Sequence, residues 1–306
     1  RRVMRARVRW PAPRDSMECT VPTIAPVMIP GGLMHVDRHA VHRARQLIAI
    51  LFLALAAGLG APAHAATQPE PSVVPAFDRA AIYFLSDDNR REISSQASFP
   101  ATGDFRRITM HLRLDCPDGG CDPWDRYGTI GLVRNPGDAG ATTIELARFM
   151  TPYGVGGQWS LDVTDLRPIL TGEVTLTASI DTWVGPGSQG GAGWLLSAWF
   201  TLTPGQPARQ AIAVIPVWSP REVRYGDPIV PTAVDAPTVT VDLPAARSYA
   251  LRTLVTGHGQ GNEDDCAEFC PRTHTIRING IRHDHFGWRT NCATRGWLVF
   301  SVLPQP

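Results

Sequence analysis

The chain has 306 residues and a formal net charge of +1, from 29 basic residues, all of them Arg, and 28 acids. The absence of Lys excludes catalysis through a lysine Schiff base. Residues 1–65 carry nine Arg and three acids, so residues 66–306 carry 20 and 25, and their balance of −5 argues against a nucleic-acid partner.

In chain order, residues 1–33 are Arg- and Pro-rich and read as a disordered or non-native leader. From Met34 the pattern is that of a signal peptide spanning 34–65. His42-Arg43-Ala44-Arg45 supplies the positive start, Leu47 to Gly60 the apolar run, and Ala63-His64-Ala65 the small-x-small cleavage site. That run is too short for a membrane span. The expected product is a secreted or periplasmic chain of about 240 residues with no membrane span after cleavage.

Residues 66–76 are Pro-rich and read as an extended lead-in. Short alternating runs follow, separated by Gly, Pro and Asp. They are Ala81–Leu85, Arg107–Leu114, Tyr127–Val133, Thr143–Phe149, Gly172–Trp183, Trp194–Thr203 and Ala211–Val217. Alternation at period two predicts strands with one face on a core. Val163–Leu170 allows one helical turn before Pro168 breaks it. The Pro-rich stretch from Pro220 to Pro237 marks a boundary. A second series follows at Thr238–Leu243, Tyr249–Thr256, His274–Ile278 and His285–Trp288. The predicted class is all-β, with two jelly-roll β-sandwich domains at 77–235 and 236–306. The second has too few strands to close, so it is expected to be truncated.

Six Cys are present, and Cys19 falls in the leader. Cys116 and Cys121 frame Pro-Asp-Gly-Gly, and Asp122-Pro-Trp-Asp125-Arg-Tyr127 follows at once. A bridge there would contribute about 2 kcal/mol by the chain-entropy argument. Its larger effect would be to aim Asp122 and Asp125. The bland alternative is a pinned hairpin with solvated acids, but Trp124 and Tyr127 offer apolar faces of the kind that sugar rings cover. Cys266 and Cys270 frame Glu268 in the same manner. Redox and zinc readings of that pair are weaker, since the spacing is not Cys-x-x-Cys and a full ligand set is wanting. Cys292 is left without a partner, which again suggests a shortened C-terminus. The run Gly185 to Gly190 matches a dinucleotide fingerprint by letter only, with no helix pattern after it. No Gly-x-Ser-x-Gly elbow occurs.

These motifs resemble the peptide-N-glycosidase F family. The resemblance runs from Cys116 through Tyr127, Arg148-Phe-Met-Thr-Pro-Tyr153, Leu161-Asp-Val-Thr-Asp165 and Thr182-Trp183 to Leu251-Arg-Thr253 and Cys266 through Ile276. It covers about residues 77–292. It implies two adjacent jelly rolls with a site between them, and hydrolysis of the amide joining an N-glycan to asparagine. No metal or other cofactor is implied, and the expected form is a monomer acting on N-glycosylated proteins or glycopeptides. By the same resemblance Asp125 is the principal catalytic carboxylate, and Glu268 is a second acid working through a bridging water. Asp181 stands where the family has a glutamate one methylene longer. Trp124, Arg126 and Trp183 become sugar contacts, and disulfides join Cys116 to Cys121 and Cys266 to Cys270. After Asn291-Cys292-Ala293 the resemblance ends, which puts the activity of this chain in question.

Two competing readings stay open at this stage. One is a glycan-binding module that uses Trp124, Tyr127 and Trp183 without turnover. The other is a copper mono-oxygenase-like jelly roll that uses His274, His283 and His285 as imidazole ligands.

Overall fold

A computed structural model describes residues 2–9, 70–220, 237–256 and 272–287. Its strands are β1 (Arg2–Arg9), β2 (Ser72–Phe84), β3 (Asn89–Arg90), β4 (Glu92–Phe99), β5 (Phe105–Asp115), β6 (Tyr127–Arg134) and β7 (Thr142–Met150). They continue with β8 (Gly157–Asp162), β9 (Gly172–Ile180), β10 (Trp194–Pro204), β11 (Val239–Leu243), β12 (Arg272–Ile278) and β13 (Ile281–Gly287). A 3-10 turn at Thr164–Leu166 fills the place where one helical turn is expected.

Two antiparallel sheets make the first unit, in the orders β3-β2-β10-β5-β8 and β4-β9-β6-β7. The chain crosses repeatedly from one sheet to the other, so that β2 neighbours β10 and β5 neighbours β8. That wiring is a jelly roll. Period-two alternation builds the layer between the sheets. In β5, Ile108, Met110, Leu112 and Leu114 point inward and are buried, while Arg107 and Arg113 face out. β10 contributes Trp194, Leu196, Ala198, Phe200 and Leu202, and β9 contributes Leu176, Ala178 and Ile180. Phe99 meets Phe200 edge to face at 5.0 Å across the core. In β2 a bulge places Arg79 at φ +44°, and its N–H donates to Ser197 Oγ at 2.9 Å.

Several expectations change. β2 begins at Ser72, inside the stretch read as a lead-in. β4 and β8 carry no strand signal strong enough to be expected, because Ser and Gln dilute their alternation. Ala211–Val217 alternates but forms no strand. Pro216 within it lacks a ladder donor. Tyr249–Thr256 likewise carries only a single bridge at Arg252.

Four strands form a further sheet, ordered β11-β1-β12-β13. Here residues 2–9 differ from a disordered leader. Met4, Ala6 and Val8 alternate with Arg5, Arg7 and Arg9, a period of two that suits a strand. β1 pairs Ala6 with Val239 on one side and with Ile278 on the other. β12 and β13 form a hairpin closed by Asn279 and Gly280, both at positive φ (+51° and +84°). That is the backbone a two-residue type I′ turn demands. Arg252 joins this part of the chain to the first unit. Its Nη2 donates to Leu146 O, on the outer strand β7, at 3.0 Å. Burial pulls the Arg252 guanidinium down to about 10, against the attraction of Asp165 and Asp162.

His274 and His285 face each other across the β12–β13 hairpin, and His283 lies on the same side opposite Ile276. Burial, reinforced by the neighbouring His285, pulls His274 down to about 4. The unfolded chain binds a proton at His274 near its ordinary value of about 6.5, and the fold keeps the ring neutral. Its contribution is therefore complete above that value and is lost as pH falls toward 4. The thermal midpoint is expected to drop across this window, and His274→Gln to flatten the drop. Calorimetry at a series of pH values checks both.

Candidate active site

The sequence-predicted residues of the first unit collect at one end of the sandwich. Leu195 pairs with Asp115, Gly128 with Ile180 and Leu114 with Gly157, so loops 116–126, 151–156 and 181–193 emerge together. The disulfide Cys116–Cys121 is formed, with its Cα atoms 4.4 Å apart. Backbone bonds stitch its loop to both neighbours. Ala192 N–H donates to Gly120 O at 2.8 Å, Asp122 N–H to Gly193 O at 3.3 Å, and Gly154 N–H to Asp122 O at 3.1 Å.

Asp122 lies completely buried beneath this seam. Its Oδ1 accepts from the Trp124 N–H at 3.0 Å and from Arg126 Nη2 at 3.3 Å. Its Oδ2 accepts from Arg126 Nε and from the Thr182 hydroxyl, both at 2.7 Å. A buried carboxylate is tolerable when its lone pairs are filled in this way. Asp122 and Thr182 carry no assigned role in the sequence reading. Only the four-residue spacing from Asp122 to Arg126 hints at the pair, and Thr182 lies 60 positions away.

Asp125 sits half-buried between Trp124 and Arg126. The backbone on each side of it is clamped by Thr151. Arg126 N–H donates to Thr151 Oγ1 at 2.7 Å, Thr151 N–H to Arg126 O at 2.8 Å, and Thr151 Oγ1 to Trp124 O at 3.3 Å. Trp124 itself stands 54% exposed. Arg126, expected as a sugar contact, turns its Nε and Nη2 inward to Asp122 and keeps about a fifth of its side chain exposed (21%).

Asp181 borders the same end, since its N–H donates to Tyr127 O at 2.9 Å. Its exposed carboxylate accepts from Arg91 Nη1 at 3.2 Å. The Arg91 guanidinium lies 4.6 Å from the ring centres of both Phe84 and Trp183, a cation–π clamp. Trp183 remains 55% exposed. Arg91 and Phe84 belong to strands and turns that carry no motif, so sequence reasoning passes over them. Tyr127 is held from the side, where its hydroxyl donates to Glu145 Oε1 at 3.1 Å beneath Arg148.

Asp125, Trp124 and Arg126 on one loop are thus brought beside Asp181 and Trp183 on the next. Glu268, Cys266, Cys270 and Cys292 lie outside the described residues. His274, His283 and His285 share a hairpin face, but among the described residues no group of three His, Cys, Asp or Glu side chains is arranged to hold a metal ion. Among them, too, no helix is long and apolar enough to cross a membrane.

A strand order of this kind, with its clustered loops at one end, defines a jelly-roll β-sandwich protein. Family models described as "Peptide-N-glycosidase F, N terminal" and "Peptide-N-glycosidase F, C terminal" match residues 130–189 and 230–298. A curated relative, peptide-N(4)-(N-acetyl-beta-D-glucosaminyl)asparagine amidase F of Elizabethkingia miricola, is 32% identical over 195 residues. That match takes in 60% of this chain and 52% of the relative, so the chain spans about half the length of the curated relative it matches. Two solved structures share the fold at a TM-score of 0.53, each covering 76% of this chain and 94% of theirs. One is a peptide-N(4)-(N-acetyl-beta-D-glucosaminyl) asparagine amidase (22% identical); the other is PNGase F, a glycosylasparaginase from Flavobacterium meningosepticum (23%). The chain is thus similar to the peptide-N-glycosidase F family over two separate stretches, 130–189 and 230–298.

Gly191 shows how tightly the site loops meet. At φ +128°, a Cβ there would lie 2.3 Å from Cys121 O. Gly191→Ala is expected to cost at least about 2 kcal/mol, through backbone strain and displacement of the disulfide loop. The urea midpoint measures it.

Proposed function

We propose that this protein is a deglycosylating amidase that hydrolyses the bond between an N-glycan and the asparagine side chain. The observation that carries the reading is Asp125. It is clamped at the end of the sandwich on a disulfide-fixed loop, and the indoles of Trp124 on that loop and Trp183 on the neighbouring one are exposed. Similarity to peptide-N-glycosidase F over parts of the chain supports the reaction class.

The chemistry asks little of the protein beyond placement. A water attacks the amide carbonyl, and the developing oxyanion needs donors. The C–N bond then breaks, and the leaving nitrogen takes up a proton. The products are an aspartate and a glycosylamine. Asp125 is assigned as the principal carboxylate that orients the substrate and assists proton movement. Glu268 is assigned as the second acid, holding the attacking water. Asp181 lines the sugar side, its charge moderated by Arg91. The Trp124 and Trp183 rings cover apolar sugar faces, and Arg126 adds its remaining exposed edge. Glycoproteins or glycopeptides are the substrates, the acting form is a monomer, and no resident metal takes part. Export through the segment 34–65 fits such substrates. Release of residues 1–65 would also withdraw β1 from between β11 and β12.

The exposure of two indoles favours one further reading, a glycan-binding module without turnover. A single assay separates the two. With a denatured N-glycoprotein, the amidase reading expects conversion of the glycosylated asparagine to aspartate by mass spectrometry. Asp125→Asn should slow that conversion by at least about 100-fold while glycan binding persists. Binding without product from the unaltered chain would leave only the module.

A further inference from the structure

The buried carboxylate of Asp122 touches the immediate neighbours of both proposed site acids, and nothing in the proposed reaction requires it. On one side it holds the Trp124 N–H and the Arg126 guanidinium, which bracket Asp125. On the other it holds the hydroxyl of Thr182, the residue between Asp181 and Trp183. Both Asp122 and Thr182 are fully enclosed, so water does not compete for the contact. The loops that carry these residues leave opposite sheets. Asp122 follows β5 of one sheet, and Thr182 follows β9 of the other. Backbone bonds join the same loops at Ala192–Gly120, Asp122–Gly193 and Asp181–Tyr127, and the Thr182 hydroxyl, between Asp181 and Trp183, adds a side-chain tie.

A buried ion pair is a poor way to gain stability alone. An apolar pair of similar volume often serves as well or better. Its particular property is direction, since four donors converge on two oxygens and each fixes an angle as well as a distance.

Building on the amidase reading, we propose that Asp122 and Thr182 are positioning residues, joined by one hydrogen bond that sets the Asp125 loop against the Asp181–Trp183 loop. Neither touches substrate. Thr182 is the better handle for a test, because its substitution leaves the Asp122–Arg126 pair whole. Val matches Thr in shape and deletes only the donor, whereas Ser keeps the donor and deletes a methyl.

In the full chain, Thr182→Val is expected to lower kcat for glycopeptide hydrolysis about 10- to 100-fold, the cost of a misplacement on the ångström scale. KM should stay within about threefold, and Thr182→Ser should keep kcat within about threefold of the parent. Should Val prevent folding, Thr182→Ala deletes the donor without added bulk and takes its place. A donor-less variant with kcat within about threefold of the parent overturns the proposal, as does a Ser variant that falls as far as Val. A parent without turnover sinks the amidase reading instead, and the tie is then read directly. Carbon-13 NMR follows the carboxyl titrations of Asp125 and Asp181 in parent and Thr182→Val. A moved midpoint in either acid supports the tie, and superimposable titrations in both overturn it.

Discussion

A charge sealed away from water has to be answered by its surroundings, and at Asp122 the answer organises one end of the molecule. Three of its four donors come from the residues around Asp125, and the fourth comes from the neighbouring loop. Removing one partner of such a pair typically costs about 3–5 kcal/mol, since the other is left uncompensated. The loops that meet here are therefore parts of the folded core in energetic terms, although they run at the surface. The disulfide Cys116–Cys121 and the backbone bonds to Ala192, Gly193 and Gly154 act in the same direction. They limit the conformations open to the loop before the carboxylate is buried.

The sandwich beneath supplies the stage. Strands β5 and β10 pair along most of their length, with Phe200 and Met110 in register and both wholly buried. A rigid pair of sheets lets loops of 6 to 13 residues present side chains with small positional error, which is how many β-sandwich proteins carry their sites. Trp124 and Trp183 illustrate the point. Each projects into solvent from a stem that is itself bonded to Asp122 or next to a residue that is.

Much of this was legible in residue order, for identifiable reasons. β5, β9 and β10 alternate large apolar residues with polar ones, so their inward faces could be read directly. β4 could not, because Ser95 occupies an inward-phased position between Ile93 and Ala97. Ala211–Val217 alternates but has no ladder partner, and alternation alone cannot supply one. The hairpin β12–β13 has its turn signal in Asn279-Gly280, and the runs expected at His274–Ile278 and His285–Trp288 overlap its two strands, the second of which starts earlier, at Ile281. At the site, the cysteine spacing pointed to a bridge that the fold forms. The position of Asp125 was marked by its aromatic neighbours. Asp122 reads in sequence only as a second acid aimed by the bridge beside Asp125, because Thr182, which completes its shell, is remote along the chain. The resemblance makes Arg126 a sugar contact, and the burial of its partner Asp122 cannot be seen from composition.

Arg91 links two properties of the site that a ligand would otherwise meet separately. Its guanidinium lies against the rings of both Phe84 and Trp183, and the same group holds the carboxylate of Asp181. Anything that presses on the indole therefore also pushes on the counter-ion of the neighbouring acid. Shape recognition at Trp183 and the electrostatic field at Asp181 share one lever, so the occupancy of the ring is felt by the charge.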